Sequence, residues 1–269
     1  MNIVACIKLV TDPEAPASSY GVDNETKRIT LPKEVSLVIS SFDENAVEAG
    51  LQLREAVGGK LTVISLATNP APDVIRALRH TLAMGAGSAV MLDDPAFDGG
   101  DSHSTAYTLA MAIKKLGEYD LILCGRQAAD WDAGQVGLGI AEILGIPAVT
   151  PVRKIEAVDG SVRAERIIED GYQVLELPLP SLLAVSNEIN TPRLASLRGI
   201  MDAAKKEIPT WTASDINLDV ARTGALGART SIVELAIPTY EGICQFITGE
   251  NLEEAAIRLV EMLRSEKII

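Results

Sequence analysis

The sequence contains few aromatic residues. Only 4% of its residues are Phe, Trp or Tyr, whereas 47% are hydrophobic in total. The core must therefore be built from Ala, Val, Ile and Leu, as in parallel sheets that helices cover on both faces. The length of 269 residues indicates one large α/β domain, or one domain with an appendage.

Basic residues are also scarce relative to acidic ones. The chain has 24 Lys and Arg against 37 Asp and Glu, and its formal net charge is −13. A field of this sign repels phosphate backbones, so the charge argues against nucleic acids and anionic membranes as partners. It still permits a nucleotide that is bound through backbone N–H groups.

Long apolar runs are missing. No stretch approaches the roughly 18 apolar residues that a transmembrane helix needs. The first ten residues, MNIVACIKLV, have no basic leading region and no small-residue cleavage site, and Lys8 interrupts their apolar run. We interpret them as a first β-strand rather than a signal peptide, and we expect a cytoplasmic protein without a transmembrane segment.

Cysteine and histidine are rare and scattered. The three cysteines, Cys6, Cys124 and Cys244, form no CxxC pair, so we expect buried thiols in a reducing compartment rather than a disulfide framework or a zinc site. The two histidines, His80 and His103, have neither metal-ligand nor triad spacing. Because we predict no metal site and no catalytic residue, we expect a bound cofactor to supply the chemistry.

Strand-like and helix-like segments alternate through the first 150 residues. Short connections between them indicate βαβ units, so we predict an α/β fold with a doubly wound, mostly parallel, Rossmann-like sheet. The predicted strands are Asn2–Ile7, Lys60–Leu66, Ser88–Leu92 and Tyr119–Cys124, and the predicted helices are Asp43–Val57, Pro72–Met84, Ser102–Leu116 and Gly134–Leu144.

The pattern changes after Pro147. Short β-rich runs joined by turn signals predict added, partly antiparallel strands at Ala148–Arg153, Val162–Ile168, Tyr172–Leu177 and Leu182–Ser186. A short helix is expected at Arg198–Lys206, and an amphipathic helix at Leu252–Leu263 follows a long irregular stretch. We therefore predict a nucleotide-binding domain over 1–207 and a C-terminal arm over 208–269 that reaches another subunit.

The segment Tyr119–Gly145 carries the clearest binding signal. A buried strand ends at Cys124, an acidic loop of small residues follows, and a helix is expected to begin near Ala133–Gly134. The N-terminus of a helix presents free N–H groups that suit phosphate, and glycines at 134 and 137 would let a pyrophosphate approach the backbone. Asp130 and Asp132 could cap the helix or orient the loop. An ordinary βα turn remains an alternative interpretation.

Two further loops are expected at the same edge of the sheet. One follows the first strand and contains Cys6 and Lys8; the other, Ser40–Asp43, precedes the first long helix. Because ligands of doubly wound sheets bind outside the carboxyl ends of the strands, we expect these loops to converge with the acidic loop. Lys8 as a solvated charge and Ser40 as a simple N-cap are the alternatives.

Five segments, in order along the chain, resemble the β subunit of electron-transfer flavoproteins. These are NIVACIKLV, SSFDENAVEAGLQLRE, RALRHTLAMGA, CGRQAADWDAGQVG and ERIIEDGYQVLELPLPSLLAVSNEINTPRLASLRGIM. The resemblance implies a heterodimer with an α subunit that carries an electron-transferring FAD. It also implies a nucleotide in the β subunit, which is AMP in conventional members and a second FAD, approached by NADH, in electron-bifurcating members.

The segment Ala133–Gly137 looks more like the loop of bifurcating and nitrogen-fixation-associated members than the conventional AMP loop. Trp131 and the Ser40-Ser41 pair depart from the family pattern. We therefore expect an NADH-oxidising, bifurcating carrier with FAD in the β pocket, which passes electrons between flavin and dehydrogenase or quinone-linked partners. The alternative is a conventional AMP-containing carrier that accepts electrons from acyl-CoA dehydrogenases, and a stand-alone nucleotide-binding stress or signalling protein is a remote third.

The resemblance also places functional residues. Arg166 lies where the family has a basic residue near the flavin of the α subunit, and Leu197, within the docking segment Thr191–Arg198, matches the leucine that anchors acyl-CoA dehydrogenases. Packing beneath a helix is the alternative role for Leu197. The expected nucleotide contacts are Cys6, Ser40, Ser41, Phe42, Asp43, Gly125, Arg126, Gln127, Ala128, Asp130, Asp132, Ala133, Gly134, Gln135, Val136 and Gly137.

Overall fold

The computed structural model describes residues 1–32, 35–67, 71–238, 242 and 244–269. It divides the chain into two compact units, Met1–Glu234 and Leu235–Ile269. Residues 239–241 and 243 of the predicted irregular stretch lie outside the described residues.

The first unit contains thirteen strands and six α-helices among its described residues. The strands are β1 Asn2–Ile7, β2 Leu9–Thr11, β3 Gly21–Asp23, β4 Arg28–Thr30, β5 Leu37–Ile39, β6 Lys60–Leu66, β7 Ser88–Leu92, β8 Leu121–Gly125, β9 Ala148–Val158, β10 Ser161–Ile168, β11 Gly171–Pro178, β12 Ser181–Val185 and β13 Thr210–Trp211. The helices are α1 Ser41–Val57, α2 Ala71–Met84, α3 Ser102–Leu116, α4 Val136–Leu144, α5 Leu197–Lys205 and α6 Gly224–Gly227.

Nine of these strands form one sheet in the order β11-β10-β9-β12-β8-β1-β6-β7-β13. The neighbouring strands in the part β9-β12-β8-β1-β6-β7-β13 are all parallel to each other, whereas β10 is antiparallel to both β9 and β11. The predicted doubly wound, mostly parallel α/β fold with added antiparallel strands is confirmed.

Apolar side chains of the sheet alternate between two cores. In β1, Ile3 and Ala5 pack into the core that contains α1 and α2, whereas Val4 and Cys6 pack into the core that contains α3 and α4. This period of two is the reason that a short run of apolar residues forms a central strand covered on both faces.

Helix α4 begins two residues later than the predicted Gly134. Asp132 and Gly134 have φ angles of 50° and 63°, which lie in the left-handed region, so the chain becomes helical only after Gln135 at the N-cap. The helix ends as predicted at Gly145, whose left-handed conformation suits glycine at this position.

The first unit extends past residue 207, where we expected the arm to begin. Strand β13 pairs in parallel with β7, and the side chains of Ala213 and Ile216 are buried in the core of the sheet. Residues 208–234 therefore lie in the same unit as the sheet, because they contribute a strand and core side chains to it.

The second unit contains one helix among its described residues, α7 Leu252–Ser265. It includes the predicted amphipathic segment Leu252–Leu263, and the side chain of Asn251 caps it by accepting a hydrogen bond from the N–H of Glu254 at 2.9 Å. None of its residues is buried. Within the part of the chain that the structure describes, no helix is both long and apolar enough to cross a membrane.

The expectation of three buried thiols is correct for two of the cysteines. Cys6 and Cys124 are buried, but Cys244 is exposed. Cys244 lies in the second unit, in which none of the described residues is buried.

Candidate functional site

The three predicted loops meet at the carboxyl ends of β1 and β8. The N–H of Ser40 donates to the carbonyl oxygen of Lys8 at 2.9 Å, which joins the first two loops. The N–H of Ala129 donates to the hydroxyl of Ser40 at 3.2 Å, which joins the second loop to the acidic loop. Side-chain hydroxyl and backbone groups thus bring together segments that are about 90 residues apart in sequence.

Asp43, in the first turn of α1, connects β1 and β8. One of its carboxylate oxygens accepts the N–H of Lys8 at 2.8 Å, and the other accepts the N–H of Gly125 at 2.9 Å. Burial raises the pKa of Asp43 to about 7, although both hydrogen bonds and the charge of Lys8 act in the opposite direction. Gly125 must lack a side chain here, because a Cβ atom would lie 2.6 Å from a carboxylate oxygen of Asp43.

Ser40 and Lys8 have more specific roles than the alternatives from the sequence. Ser40 occupies the N-cap position of α1, but its side chain makes no capping hydrogen bond; its hydroxyl instead accepts the N–H of Ala129. The ammonium group of Lys8 pairs with Asp130. Neither the simple N-cap nor the purely solvated lysine describes this arrangement.

The acidic loop is held by its own side chains. The amide of Gln127 donates to the carboxylate of Asp132 at 2.7 Å, and the N–H of Asp132 donates to the carbonyl of Ala128 at 3.0 Å. The side chain of Gln135, at the N-cap of α4, makes no capping hydrogen bond. Of the two roles considered for Asp130 and Asp132, the structure shows the one of orienting the loop.

The two loop glycines differ in what surrounds them. A Cβ atom on Gly137 would lie 3.5 Å from the side chain of Leu182 and 3.6 Å from that of Cys124, so its open side faces the core rather than a ligand. Gly134 is needed for its left-handed φ of 63°. The glycine at residue 137 therefore does not make room for a pyrophosphate.

Two thiols lie beneath the loops. The buried side chains of Cys6 and Cys124 belong to the same core. The hydrogen bond that the Cys124 thiol donates to Cys6, together with burial, raises the pKa of Cys124. The Cys124 thiol is therefore protonated at neutral pH. Since its side chain faces the core, Cys6 presents only backbone atoms to the edge of the sheet.

Arg126 is the basic side chain within the acidic loop. Its guanidinium carbon lies 5.0 Å from the centre of the Phe42 ring, and its Nε atom is buried without a hydrogen-bond partner among the described residues. A buried N–H without an acceptor is costly in free energy, and an anionic ligand would remove that cost. The residues present therefore fit a phosphate-bearing group.

The expected contact residues differ in exposure but belong to the three loops and the adjoining strand and helix ends. Cys6, Ser40, Asp43 and Gly137 are buried; Phe42, Gly125, Arg126, Gln127, Ala128, Gly134 and Val136 are half-buried; Ser41, Asp130, Asp132, Ala133 and Gln135 are exposed.

Two expected residues lie outside this cluster. Arg166 is exposed on β10. Across the sheet, the residues in line with it are Val152 on β9, Val185 on β12 and Gly125 on β8. At about 4.8 Å per strand, Arg166 lies roughly 14 Å from the loops. Leu197 is the first residue of α5, and its side chain is 77% exposed, so it does not pack beneath a helix.

Sequence reasoning missed a second polar cluster. Asn45 and Glu48 on α1 are buried and bind Asn190 and Arg193 of the segment before α5. A carboxylate and an amide on the face of α1 that also carries apolar residues were the available signal.

Comparison with known proteins shows the family to which the chain belongs. Residues 31–216 match the electron transfer flavoprotein domain. The electron transfer flavoprotein subunit β of Thermoanaerobacterium thermosaccharolyticum is 43% identical over 271 residues, which cover 100% of each chain. The chain belongs to the electron transfer flavoprotein β-subunit family.

Two other relatives extend the comparison. The caffeyl-CoA reductase–Etf complex subunit CarD of Acetobacterium woodii is 38% identical over 269 residues, which cover 100% of each chain. Protein FixA of Azorhizobium caulinodans is 36% identical over 247 residues, which cover 89% of this chain and 85% of FixA.

The matched electron transfer flavoprotein domain includes most of the candidate site. It contains the Ser40–Asp43 loop, the acidic loop, Arg166 and Leu197, whereas Cys6 and Lys8 precede it. The contribution of β1 to the site therefore comes from the structure rather than from the domain match.

Proposed function

We propose that this β subunit pairs with an electron transfer flavoprotein α subunit and binds FAD in its own pocket, where it oxidises NADH in the cytoplasm as part of a bifurcating carrier. When bound, such a flavin accepts a hydride and passes electrons onward singly. The observation that carries the proposal is the N-terminus of α4, whose N-cap side chain makes no capping hydrogen bond and whose first residue is the apolar Val136.

The N-terminal N–H groups of α4 favour binding of a pyrophosphate over binding of a terminal monophosphate. The first N–H groups of a helix have no intrahelical partner and attract anions. Since Val136 has no hydroxyl, it cannot donate a hydrogen bond to the terminal phosphate of AMP. A lost hydrogen bond to a charged group costs about 1.5–3 kcal/mol, whereas a pyrophosphate spread over several N–H groups depends less on any one donor.

The charges around the loops are compatible with an anion. Lys8 neutralises Asp130 at 2.7 Å, and the pKa of Asp43 at about 7 keeps about half of that carboxyl uncharged near neutrality. Arg126 adds a positive charge on the Phe42 ring. We expect Arg126 and the N-terminus of α4 to hold the phosphates, with Ser40–Asp43 and the acidic loop around them.

Two exposed apolar regions support the proposed partners. In the second unit, Leu252, Leu259 and Val260 of α7 are exposed, as expected for an arm that contacts the α subunit. In the first unit, Leu197 is exposed together with Leu194, Ile200 and Met201, and such an apolar patch suits docking to a pocket of a dehydrogenase. CarD is named as part of a caffeyl-CoA reductase complex, so we propose an acyl-CoA dehydrogenase or reductase as the docking partner.

Cofactor analysis of the purified heterodimer tests the proposal. We expect two FAD and no AMP per heterodimer, and we expect anaerobic NADH to bleach the flavin spectrum without added dehydrogenase. Arg126→Gln should release the β-subunit flavin and keep the α-subunit FAD. The matched control is Arg163→Gln, which removes an exposed arginine of β10 that pairs with Glu156 and Glu176, and it should retain both flavins.

The opposite result would identify the conventional carrier. One FAD, one AMP and no spectral response to NADH would contradict the FAD assignment and favour a carrier for acyl-CoA dehydrogenases. The stand-alone stress or signalling protein is no longer supported, because the match to named β subunits covers the full length of both chains.

A further inference from the structure

The segment between β12 and α5, together with the first residue of α5, presents two leucines to solvent. Leu194 is 93% exposed and Leu197 is 77% exposed, whereas Ile189 and Ala195 of the same segment pack against the core. We define this docking loop as residues 187–196. Ile189 and Ala195 therefore face inward, whereas Leu194 and Leu197, the residue directly after the loop, face outward.

Backbone hydrogen bonds contribute little to the shape of the docking loop. Among the described residues, no backbone–backbone hydrogen bond involves residues 190–195. Such a segment would sample many conformations in isolation, and ordering its leucines at the moment of docking would reduce affinity. Side chains must therefore supply the order.

Arg193 provides that order from the middle of the loop. Its Nε and Nη2 atoms donate to the carboxylate of Glu48 on α1 at 2.8 and 3.0 Å, and its Nη1 and Nη2 atoms donate to Glu55 at 2.5 and 3.0 Å. The backbone N–H of Arg193 also donates to Glu48 at 3.3 Å. Hydrogen bonds from Arg193 lower the pKa of Glu55.

Glu48 is suited to hold the loop because it is buried. Its side chain is only 4% exposed, and a buried carboxylate requires partners that replace water. The planar guanidinium meets two carboxylates with four N–H groups, a geometry that the single ammonium group of lysine cannot reproduce.

A second pair fixes the start of the loop. The amide of Asn45 donates to the carbonyl of Asn190 at 2.8 Å, and the amide of Asn190 donates to the carbonyl of Asn45 at 3.0 Å. Asn45 and Glu48 lie one turn apart on α1. Helix α1, which begins at the candidate nucleotide site, therefore also binds the docking loop through two side chains.

We infer that Arg193, held by Glu48 and Glu55, is a positioning residue that pre-orders Leu194 and Leu197 for docking to a partner dehydrogenase. The inference rests on the proposed docking function. Arg193 itself faces α1 rather than the partner. Its substitution therefore removes order from the loop, although both leucine side chains are still present.

Hydrogen exchange in the heterodimer tests the ordering role directly. Arg193→Gln should speed the exchange of the amide of residue 193, whose N–H is hydrogen-bonded to Glu48, about tenfold or more, and should leave amides 126–132 of the acidic loop unchanged. Arg198→Gln is the matched control, since Arg198 is a neighbouring, 94% exposed arginine that pairs only with Asp202 at 3.8 Å among the described residues. Arg193→Lys should not restore protection.

The double variant Glu48→Gln/Arg193→Gln guards against misfolding, because it removes the buried charge together with its partner. It should fold and still exchange rapidly at the amide of residue 193. Unchanged exchange in both the single and the double variant would overturn the inference.

A kinetic measurement separates positioning from docking itself. With butyryl-CoA dehydrogenase reduced by butyryl-CoA as the probe, Arg193→Gln should raise the KM for the heterodimer about fivefold or more at unchanged kcat, and Leu197→Ala should do the same without faster exchange. Faster exchange with an unchanged KM would overturn the positioning role. If Leu197→Ala left the KM unchanged or the wild type gave no turnover, the docking function, and the inference with it, would fail, while the exchange data would still report whether Arg193 orders the loop.

Discussion

The ammonium nitrogen of Lys8 lies 2.7 Å from both carboxylate oxygens of Asp130. The pair joins the end of β1 to the acidic loop, 122 residues later in the chain. Its side chains are 39% and 26% exposed, so its contribution to stability is modest, about 0.2–1 kcal/mol. Its main consequence is electrostatic, because it neutralises a carboxylate at the point where we propose that phosphate binds.

Loss of Lys8 should weaken nucleotide binding. In Lys8→Met, the unpaired carboxylate of Asp130 would repel the phosphates, and we expect the dissociation constant of the β-subunit nucleotide to rise about fivefold, or about 1 kcal/mol. Titration of the nucleotide-depleted heterodimer measures it. Adding Asp130→Asn should restore most of the affinity, whereas Lys154→Met, which breaks an exposed ion pair with Glu156, should have no effect.

Gly134 should tolerate asparagine but not valine. Residue 134 has a φ of 63°, and a Cβ atom there would lie 3.3 Å from the carbonyl oxygen of Arg126. A β-branched residue in the left-handed region costs about 1–2 kcal/mol or more, whereas asparagine enters this region readily. We therefore expect Gly134→Val to lose its nucleotide and Gly134→Asn to keep it, as measured by chromatography of the released cofactors. Equal retention by the two variants would show that the loop conformation does not control binding.

The buried carboxyl of Asp43 should make stability depend on pH. Burial raises its pKa from 3.8 to about 7, so between these values the folded chain keeps a proton that the unfolded chain releases. The stabilisation is complete below about pH 4 and is lost as the pH rises through 7, a total of about 4 kcal/mol.

Urea unfolding of wild type and Asp43→Asn at pH 5 and pH 8 tests this dependence. Asparagine does not titrate, so the stability of the wild type relative to the variant should fall as the pH rises. Asp159→Asn, at the exposed turn between β9 and β10, should show no such trend relative to the wild type. A constant difference between wild type and Asp43→Asn would mean that Asp43 is ionised throughout.

Helix α7 should be required for assembly with the α subunit. Leu252, Leu259 and Val260 are exposed and recur at helical spacing. Leu259→Gln should weaken the heterodimer about tenfold or more, as expected for truncation of a central interface residue. Glu261→Gln, two residues away on the polar face, should leave it intact. Sedimentation of the purified subunit pair measures the difference, and equal assembly of both variants would remove α7 from the interface.

The parallel sheet could be predicted closely from the sequence because its strands and helices are determined locally. The predicted bounds of Asn2–Ile7, Lys60–Leu66, Ser88–Leu92 and Ser102–Leu116 are those of the structure. Each is a short apolar run or a periodic segment with its own start and stop residues. Strand β13 was missed because two residues, Thr210 and Trp211, carry no period, and only pairing with β7 makes them a strand.

The loops that form the candidate site could be predicted from the sequence, but the hydrogen bonds between them could not. Topology alone requires that loops after parallel strands share one edge of the sheet, so Ser40–Asp43 and the acidic loop could be placed together. The sequence contains no sign that Asp43 would bind the N–H groups of both Lys8 and Gly125. It also predicted a helix start at Gly134, where a left-handed φ delays the helix to Val136.

The sequence by itself determined the layers of this protein, because apolar runs became strands and amphipathic segments became helices. Five segments that resemble electron-transfer flavoprotein β subunits indicated its family. Only the tertiary structure decided which polar residues meet, including Lys8 with Asp130 and Arg193 with Glu48. The physical reason is that burial and helix period depend on neighbours along the chain, whereas a hydrogen bond between residues more than 100 positions apart depends on the geometry of the complete fold.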